Sequence, residues 1–473
     1  MSNEEYKRTR SIIWPLASLS LPMLLSSLGT SIVNVALPTL AQTFNASFQE
    51  VQWIVLVYLL AVTTLIVTAG RLGDIIGRRR LLLVGVFLFT MSSVLCGIAP
   101  SLWPLIAARA TQGIGAAVMM ALTMAFVGET VPKERAGTAM GLLGTTSAIG
   151  TALGPSLGGI LIAGLGWRAI FLIIVPMGII SLALAYRFLP ADSQGAREAR
   201  ARFDYAGTVF LTLLLAAYAL SMTMGHGSFG PRNVATLVAA VFGVGLFVFV
   251  ESRATSPLIR LAEFRNPVFR ASLAMNALVS TVMMATLVVG PFYLSRALGL
   301  NAALVGIVMA VGPVISTLSG IPAGRIVDRL GGPFMAIVGL FGMAAGSLAL
   351  SMLSAMYGVA GYIFAIAVLT PGYQLFQAAN NTVVMVDVRP DQRGLISGML
   401  NLSRNLGLIT GVSVMGAVFA KASGTTDITI APSYSVVTGL QVTFGVAALL
   451  VIAGLVLAFI SRTHAKRRAE AMN

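Results

Sequence analysis

An all-α integral membrane protein, with fourteen spanning helices in two six-helix bundles and a two-helix insert, is the fold this sequence predicts. Three observations carry that expectation: an apolar composition, a regular series of long apolar stretches, and a one-sided distribution of basic residues. Apolar residues make up 57% of the 473, charged residues 10%, and the mean hydropathy is +0.90. A water-soluble domain carries roughly 25% charged residues, so most of this surface faces lipid.

A helix crosses a ~30 Å hydrocarbon core with about 20 residues. Stretches of that length run at 12–40, 51–70, 81–99, 102–128, 136–164 and 167–188, then at 204–225 and 233–250. More follow at 270–294, 301–322, 333–354, 358–384, 394–420 and 434–461. With residue 1 in the cytoplasm, 25 of the 31 Lys and Arg fall in inner segments. Arg168, Arg232, Arg296 and Lys421 fall in outer ones, and Arg109 and Arg404 inside spans. That bias is the positive-inside signature, so both termini are expected in the cytoplasm of a bacterium, with the chain in its inner membrane. The first span has a long apolar run and no convincing cleavage site, and reads as a retained helix.

The net charge of +15 is therefore a topology signal, and no nucleic-acid partner is expected. The single Cys96 excludes an internal disulfide. His226 and His464 are too few and too far apart for a metal cluster, so neither metal nor cofactor is expected. The acids and histidines supply no titratable cluster at a cavity, which argues against a membrane enzyme.

The chain repeats itself. Ala69-Gly70-Arg71-x-x-Asp74-x-x-Gly77 recurs 254 residues later as Ala323-Gly324-Arg325-x-x-Asp328-x-x-Gly331, and Val84-Gly85 recurs as Val338-Gly339. Both copies fall in the cytoplasmic loop after the second helix of a six-helix set. The expected units are thus residues 1–190, a two-helix insert at 191–262, and residues 263–473. In each copy the glycines allow close helix approach. Asp74 is placed to pair with the basic cluster Arg78-Arg79-Arg80 or to cap the next helix, a latch that holds one conformation.

Other motifs fall inside spans. Arg109-Ala-Thr-Gln112-Gly113-x-Gly115 puts an arginine in span four, where it needs a cavity or a partner. Span five carries Gly150, Gly154, Pro155, Gly158 and Gly159, a stripe for close helix packing with a proline that permits bending. Trp167-Arg168-x-Ile170-Phe171 opens span six, and Arg404-Asn405-x-Gly407 lies in span thirteen.

With these residues the sequence resembles the fourteen-span drug:proton antiporter branch of the major facilitator superfamily, over nearly its whole length. The resemblance implies a major facilitator fold, alternating access, a substrate site between the halves near the bilayer midplane, and exchange for protons. It also implies a buried arginine at Arg404 and a gating role for the span-five stripe.

One position departs from that branch. Span one reads Leu28-Gly29-Thr30-Ser31-Ile32-Val33-Asn34, and Gly29 stands where the branch usually has an aspartate. None of the 16 acids replaces it near a span centre; Glu129 and Asp204, at cytoplasmic helix ends, are the candidates for proton coupling. A cavity holding Arg109 and Arg404 without a central carboxylate attracts anions. Further candidates for its lining are Asn34, Tyr58, Gln112, Tyr293 and Tyr373, with Gln374, Gln377 and Asn381 on one stripe after Pro371-Gly372, which is expected to interrupt span twelve. Interhelical hydrogen bonding is the alternative role for these.

The functional expectation is an exporter of small amphiphilic compounds. The alternatives are carriage of an organic anion or lipid-like molecule without a central proton carrier, and a non-transporting membrane sensor or assembly protein. Partners are the substrate, protons and the bilayer, and a monomer is compatible with the pattern.

Overall fold

The computed structural model describes residues 3–130, 136–190, 231–253, 266–385, 393–424 and 431–472, with isolated positions between 207 and 218 and at 264. Every regular element among them is helical. In the first half, α1 (Asn3–Ser31) passes through a 3-10 turn at Asn34–Ala36 into α2 (Leu37–Thr43). Then come α3 (Phe48–Ile76), α4 (Arg78–Ile98), α5 (Leu102–Thr130), α6 (Ala136–Leu165), and the broken pair α7 (Ala169–Leu172) and α8 (Ile174–Phe188). The insert contributes α9 (Pro231–Arg253). In the second half, α10 (Pro267–Phe292) widens into a π-turn at Tyr293–Ala297, followed by α11 (Ala302–Leu330) and α12 (Gly332–Met385). A second π-turn, Gly411–Met415, separates α13 (Arg393–Thr410) from α14 (Gly416–Ala422), and α15 (Ser433–Met472) closes the chain.

Local chemistry starts these helices. Ser47 and Glu50 form a reciprocal capping box at α3, with the Glu50 carboxylate accepting from the Ser47 amide at 2.8 Å. Asn266 caps α10 ahead of Pro267, and Asn301 caps α11 by accepting from the Leu304 amide at 2.9 Å.

Among the described residues ten segments are long and apolar enough to cross a membrane, and one of these is the 54-residue α12. Gly358, at φ 54°, breaks α12 into two arms. Their close contacts pair Gly346 with Leu369, Gly342 with Gly372, Gly339 with Phe376 and Gly332 with Val383, an antiparallel register centred on Gly358. The ten-segment figure therefore does not give the fourteen separate helices expected. On α4, Phe87, Met91, Leu95 and Ile98 form one exposed apolar stripe, the face that lipid covers.

The repeat is structural. Gly77 and Gly331 both take positive φ, 112° and 87°, and join the second helix of each half to the third. Each amide closes back on the carbonyl four residues earlier, Gly73 and Val327. Gly70 through Ile76 are helical, as are Gly324 through Leu330, so the motif expected in a loop ends a helix and only its last glycine turns the chain. Pro371 also differs from expectation: α12 continues through it, and the break is at Gly358. Span one, by contrast, stops at Ser31, and Pro38 lies in the first turn of a new helix.

Two apolar clusters organise the interior. The larger runs through both halves from Leu19 to Ala458. The smaller holds Leu211 and Phe247 of the insert against Phe269, Val384, Ile396, Met399 and Leu400, which docks the insert on the second half.

Candidate functional site

Glycines on α6 set how closely the helices meet. Gly150, Gly154 and Gly158 recur every four residues against α1 and the turn that follows it: a Cβ at Gly150 would sit 2.5 Å from the Leu24 carbonyl, and one at Gly158 would sit 2.8 Å from Val35. Gly159 uses the next face and meets the other half. Its Cβ would lie 2.6 Å from the Ala302 carbonyl and 2.8 Å from Cα of Gly306, while a Cβ on Gly306 would meet the Pro155 carbonyl at 2.5 Å. No side chain fits between α6 and α11 there.

Three more contacts close the same end of the molecule. Gln52 at the start of α3 donates to the Val412 carbonyl across the halves at 2.9 Å. That carbonyl lies in the second π-turn, whose i→i+5 pattern disrupts the regular helical bonding. Phe48 sits edge-on to Phe292 at 4.7 Å and to Phe419 at 5.6 Å, both from the second half. A cavity of ≈ 210 Å³ lies in this seam between α2 and the chain from Ser295 to Val305. The opposite end carries Gly77 and Gly331. There Arg325, Asp328 and Gly331 are exposed, and neither Arg325 nor Asp328 bonds a described residue. In the first copy Arg78 donates to the Ala125 carbonyl on α5 at 3.4 Å, and the Arg71 and Asp74 side chains lie outside the described residues.

Arg109 on α5 is fully buried inside the first half. Its Nε donates to the Ile54 carbonyl on α3 at 3.0 Å, and Nη1 donates to the Gly29 carbonyl on α1 at 3.1 Å and to Gln112 Oε1 at 2.5 Å. The guanidinium lies over the Tyr58 ring at 4.1 Å. Gln112 in turn donates to Ser93 on α4 at 2.7 Å, and the Tyr58 hydroxyl to the Ser26 carbonyl on α1 at 2.8 Å. One arginine thus ties four helices together, and no carboxylate is among these partners. Nη2 is buried without a partner. Gly29 contributes its carbonyl and its lack of a side chain: a Cβ there would meet Phe89 at 3.0 Å and the Tyr58 hydroxyl at 3.4 Å. An aspartate at this position requires Phe89 to move.

The expected pairing of Arg109 and Arg404 in one cavity does not match this placement. Arg109 is enclosed by its own half, while Arg404 is exposed on α13, which meets α3 across the halves. Burial of Arg404, implied by the resemblance, is likewise not found.

The remaining candidates divide. Asn34 is buried and donates to the Thr30 carbonyl at 3.1 Å, with Oδ1 unpartnered. Tyr293 is buried, donates to the Ser354 carbonyl at 2.6 Å and stacks on Tyr362, a packing role within the second half. On the second arm of α12, Gln374 donates to Ser316 on α11 and Gln377 to the Tyr373 hydroxyl at 3.0 Å, all half-buried. Asn381 is exposed, and it is Asn380 that turns inward, with both amide atoms buried and unpartnered. Asn276 and Ser280 on α10 are also buried, each with an unpartnered oxygen. A native interior leaves few such groups, and the sequence pattern did not single these three out. Glu129 belongs to α5, but its side chain, and all of Asp204, lie outside the described residues.

The profile of the Major Facilitator Superfamily matches residues 19–412. The riboflavin transporter RibZ of Clostridioides difficile is 30% identical over 398 residues, 84% of this chain and 86% of that protein. The multidrug resistance protein Stp of Mycobacterium tuberculosis is 31% identical over 417 residues, 87% of this chain and 76% of its own length. The solved structure of a bacterial homolog to the human lysosomal transporter Spinster, inward-facing and unoccupied, superposes with a TM-score of 0.70 at 17% identity, covering 96% of this chain and 98% of that one. Helical halves, glycine-turned repeats and family profile agree: the chain belongs to the Major Facilitator Superfamily and is a multi-pass membrane transporter, not an enzyme.

Proposed function

We propose that this chain exports small amphiphilic compounds across the bacterial inner membrane by alternating access, as a fourteen-span carrier with both termini in the cytoplasm. The observation that carries the reading is the one-ended seal. The halves interlock through Gly159 and Gly306, Gln52 and Val412, and Phe48, all at one end, while the repeat turns at the other end leave Arg325 and Asp328 without a described partner. The basic bias assigns the sealed end to the outside, so in this reading the molecule stands in an inward-open state. Residues 1–190 and 263–473 are then the rocking halves. The insert at 191–262 supplies two spans, α9 and the helical positions between 207 and 218, and α12 crosses twice.

Relatives named for multidrug resistance support an amphiphilic cargo. Proton exchange in this reading runs through a peripheral acid, Glu129 or Asp204, because the Arg109 network contains no carboxylate. Two features favour a second reading, carriage of an organic anion: that same lack, and Arg404 exposed beside the seam with no described partner. Everted vesicles holding an imposed pH gradient separate the two. Collapse of the gradient by cationic amphiphiles supports proton-coupled export, and a response confined to anions supports the second reading. Silence for cationic, neutral and anionic amphiphiles alike, in vesicles shown to contain folded protein, removes proton coupling.

A further inference from the structure

We propose that the cavity in the sealed end is a binding site for an oxyanion, a phosphate or carboxylate group, which holds the two halves shut at that end. Its wall is drawn from both halves. Thr39 and Gln42 come from α2, Ser295 and Arg296 from the first π-turn, and Asn301 from the cap of α11. A π-turn displaces the helix register locally, and here two consecutive residues, Ser295 and Arg296, reach one cavity. The first turn of α11 contributes Ala302 and Val305 to the wall, so the positive end of a 29-residue helix faces the space.

Arg296 is the focus. Its Nε is buried without a partner, and its side chain makes no hydrogen bond or ion pair with a described residue; only its backbone carbonyl is engaged, by Ser433. The sequence places four basic residues on this side, and two carboxylates, Glu50 and Asp427. Glu50 is held in the Ser47 capping box at α3, and Asp427 lies outside the described residues. A half-buried guanidinium flanked by hydroxyl and amide side chains and a helix N-terminus takes an oxyanion. At ≈ 210 Å³ the space is smaller than the roughly 300–1,000 Å³ of drug-sized pockets, so it is not a cargo site. Because both halves supply the wall, the ion binds only while this end is closed and shifts the population toward that state. That the closed end faces outward rests on the reading above; the binding does not.

The test uses the purified full-length protein in neutral detergent at constant ionic strength, with Tm followed against inorganic phosphate and chloride as control. The expected result is a saturable rise in Tm with phosphate alone. Arg296→Gln should weaken the apparent affinity by on the order of tenfold or more, while Arg296→Lys, which keeps the charge, and Arg168→Gln, elsewhere on the same side, retain it. Asp427→Asn should leave phosphate binding in place or strengthen it. If phosphate stabilises only Asp427→Asn, the aspartate already occupies the site and the proposal fails. Stabilisation by free phosphate assigns a soluble anion. If instead only vesicles of anionic phospholipid, compared with zwitterionic ones, stabilise the protein through Arg296, the oxyanion is a headgroup. No Arg296-dependent stabilisation in either medium overturns the site, whatever the transport assays give.

Discussion

Replacing Gly159 by alanine should open the sealed end without unfolding the protein. The new Cβ would stand 2.6 Å from the Ala302 carbonyl and 2.8 Å from Cα of Gly306, where ordinary contact begins at 3.4 Å. Both neighbours are backbone atoms and cannot rotate away, so α6 and α11 must part by about 0.8 Å, an overpacking strain of roughly 1–3 kcal/mol. Alternating access removes this contact in the opposite state, so the strain falls on one side of the equilibrium. Outward opening should therefore rise from about 5-fold to over 100-fold. A cysteine at Val305, buried in the seam, reports the opening in a Cys96→Ala background. The assay is the rate of modification by a membrane-impermeant thiol reagent added from outside. Gly150→Ala is the control, because its Cβ meets the Leu24 carbonyl at 2.5 Å within one half. It should lower Tm and leave the Val305→Cys labelling rate alone. An unchanged rate in folded Gly159→Ala protein would refute the assignment of this contact to a gate.

The other predictions follow from the same geometry. Arg109→Gln should destabilise the fold by about 1–3 kcal/mol, the cost of leaving buried carbonyls without a donor, and Arg109→Lys should not rescue it, since one ammonium cannot span the Ile54, Gly29 and Gln112 acceptors. Arg404→Gln, at an exposed site, should move Tm little and substrate KM measurably; equal effects on Tm would contradict the division made between the two arginines. Gln52→Leu removes a single cross-seam hydrogen bond worth about 1 kcal/mol, and impermeant labelling at Val305→Cys should rise about fivefold. Asp74→Asn and Asp328→Asn should cut transport rates while membrane insertion and Tm hold, and unchanged rates would remove the latch role.

Much of the fold was legible because lipid imposes length and polarity rules on each helix. The apolar stretches locate nearly every helix described, and the repeat at Gly77 and Gly331 is written in the residues that need positive φ. The motif around Asp74 read as loop because it is charged and glycine-rich, yet a helix emerging from the bilayer tolerates both through Ile76. Pro371 looked like a break, but a proline forfeits one backbone bond, and close packing of Gly372 on Gly339 keeps the helix straight enough to continue. The seam was not legible. Val412 accepts from Gln52 through a carbonyl in a π-turn, a feature with no side-chain signature, and Arg296 stood in the sequence only as one of four basic residues on the wrong side of the membrane. That misplacement was the available signal.

The two halves share a skeleton and differ in what fills it. Gly85 crosses Gly115 in the first half as Gly339 crosses Gly372 in the second, so the third and fourth helices of each meet at the same depth. Around that crossing the first half builds the Arg109, Gln112, Ser93 and Tyr58 network. In the second half Gly312, 254 residues after Tyr58, faces Ile366 and the Thr370 hydroxyl, and no arginine stands there. The first half centres on this charged network, while the second buries Asn276 Oδ1, Ser280 Oγ and both amide atoms of Asn380 without a partner. The first half keeps its shape through hydrogen bonds that any opening would have to break as a set. In the second, Asn380 has both amide atoms buried and free to bond what enters. Substrate selectivity should therefore respond to Asn380 and Asn276, and folding to Arg109.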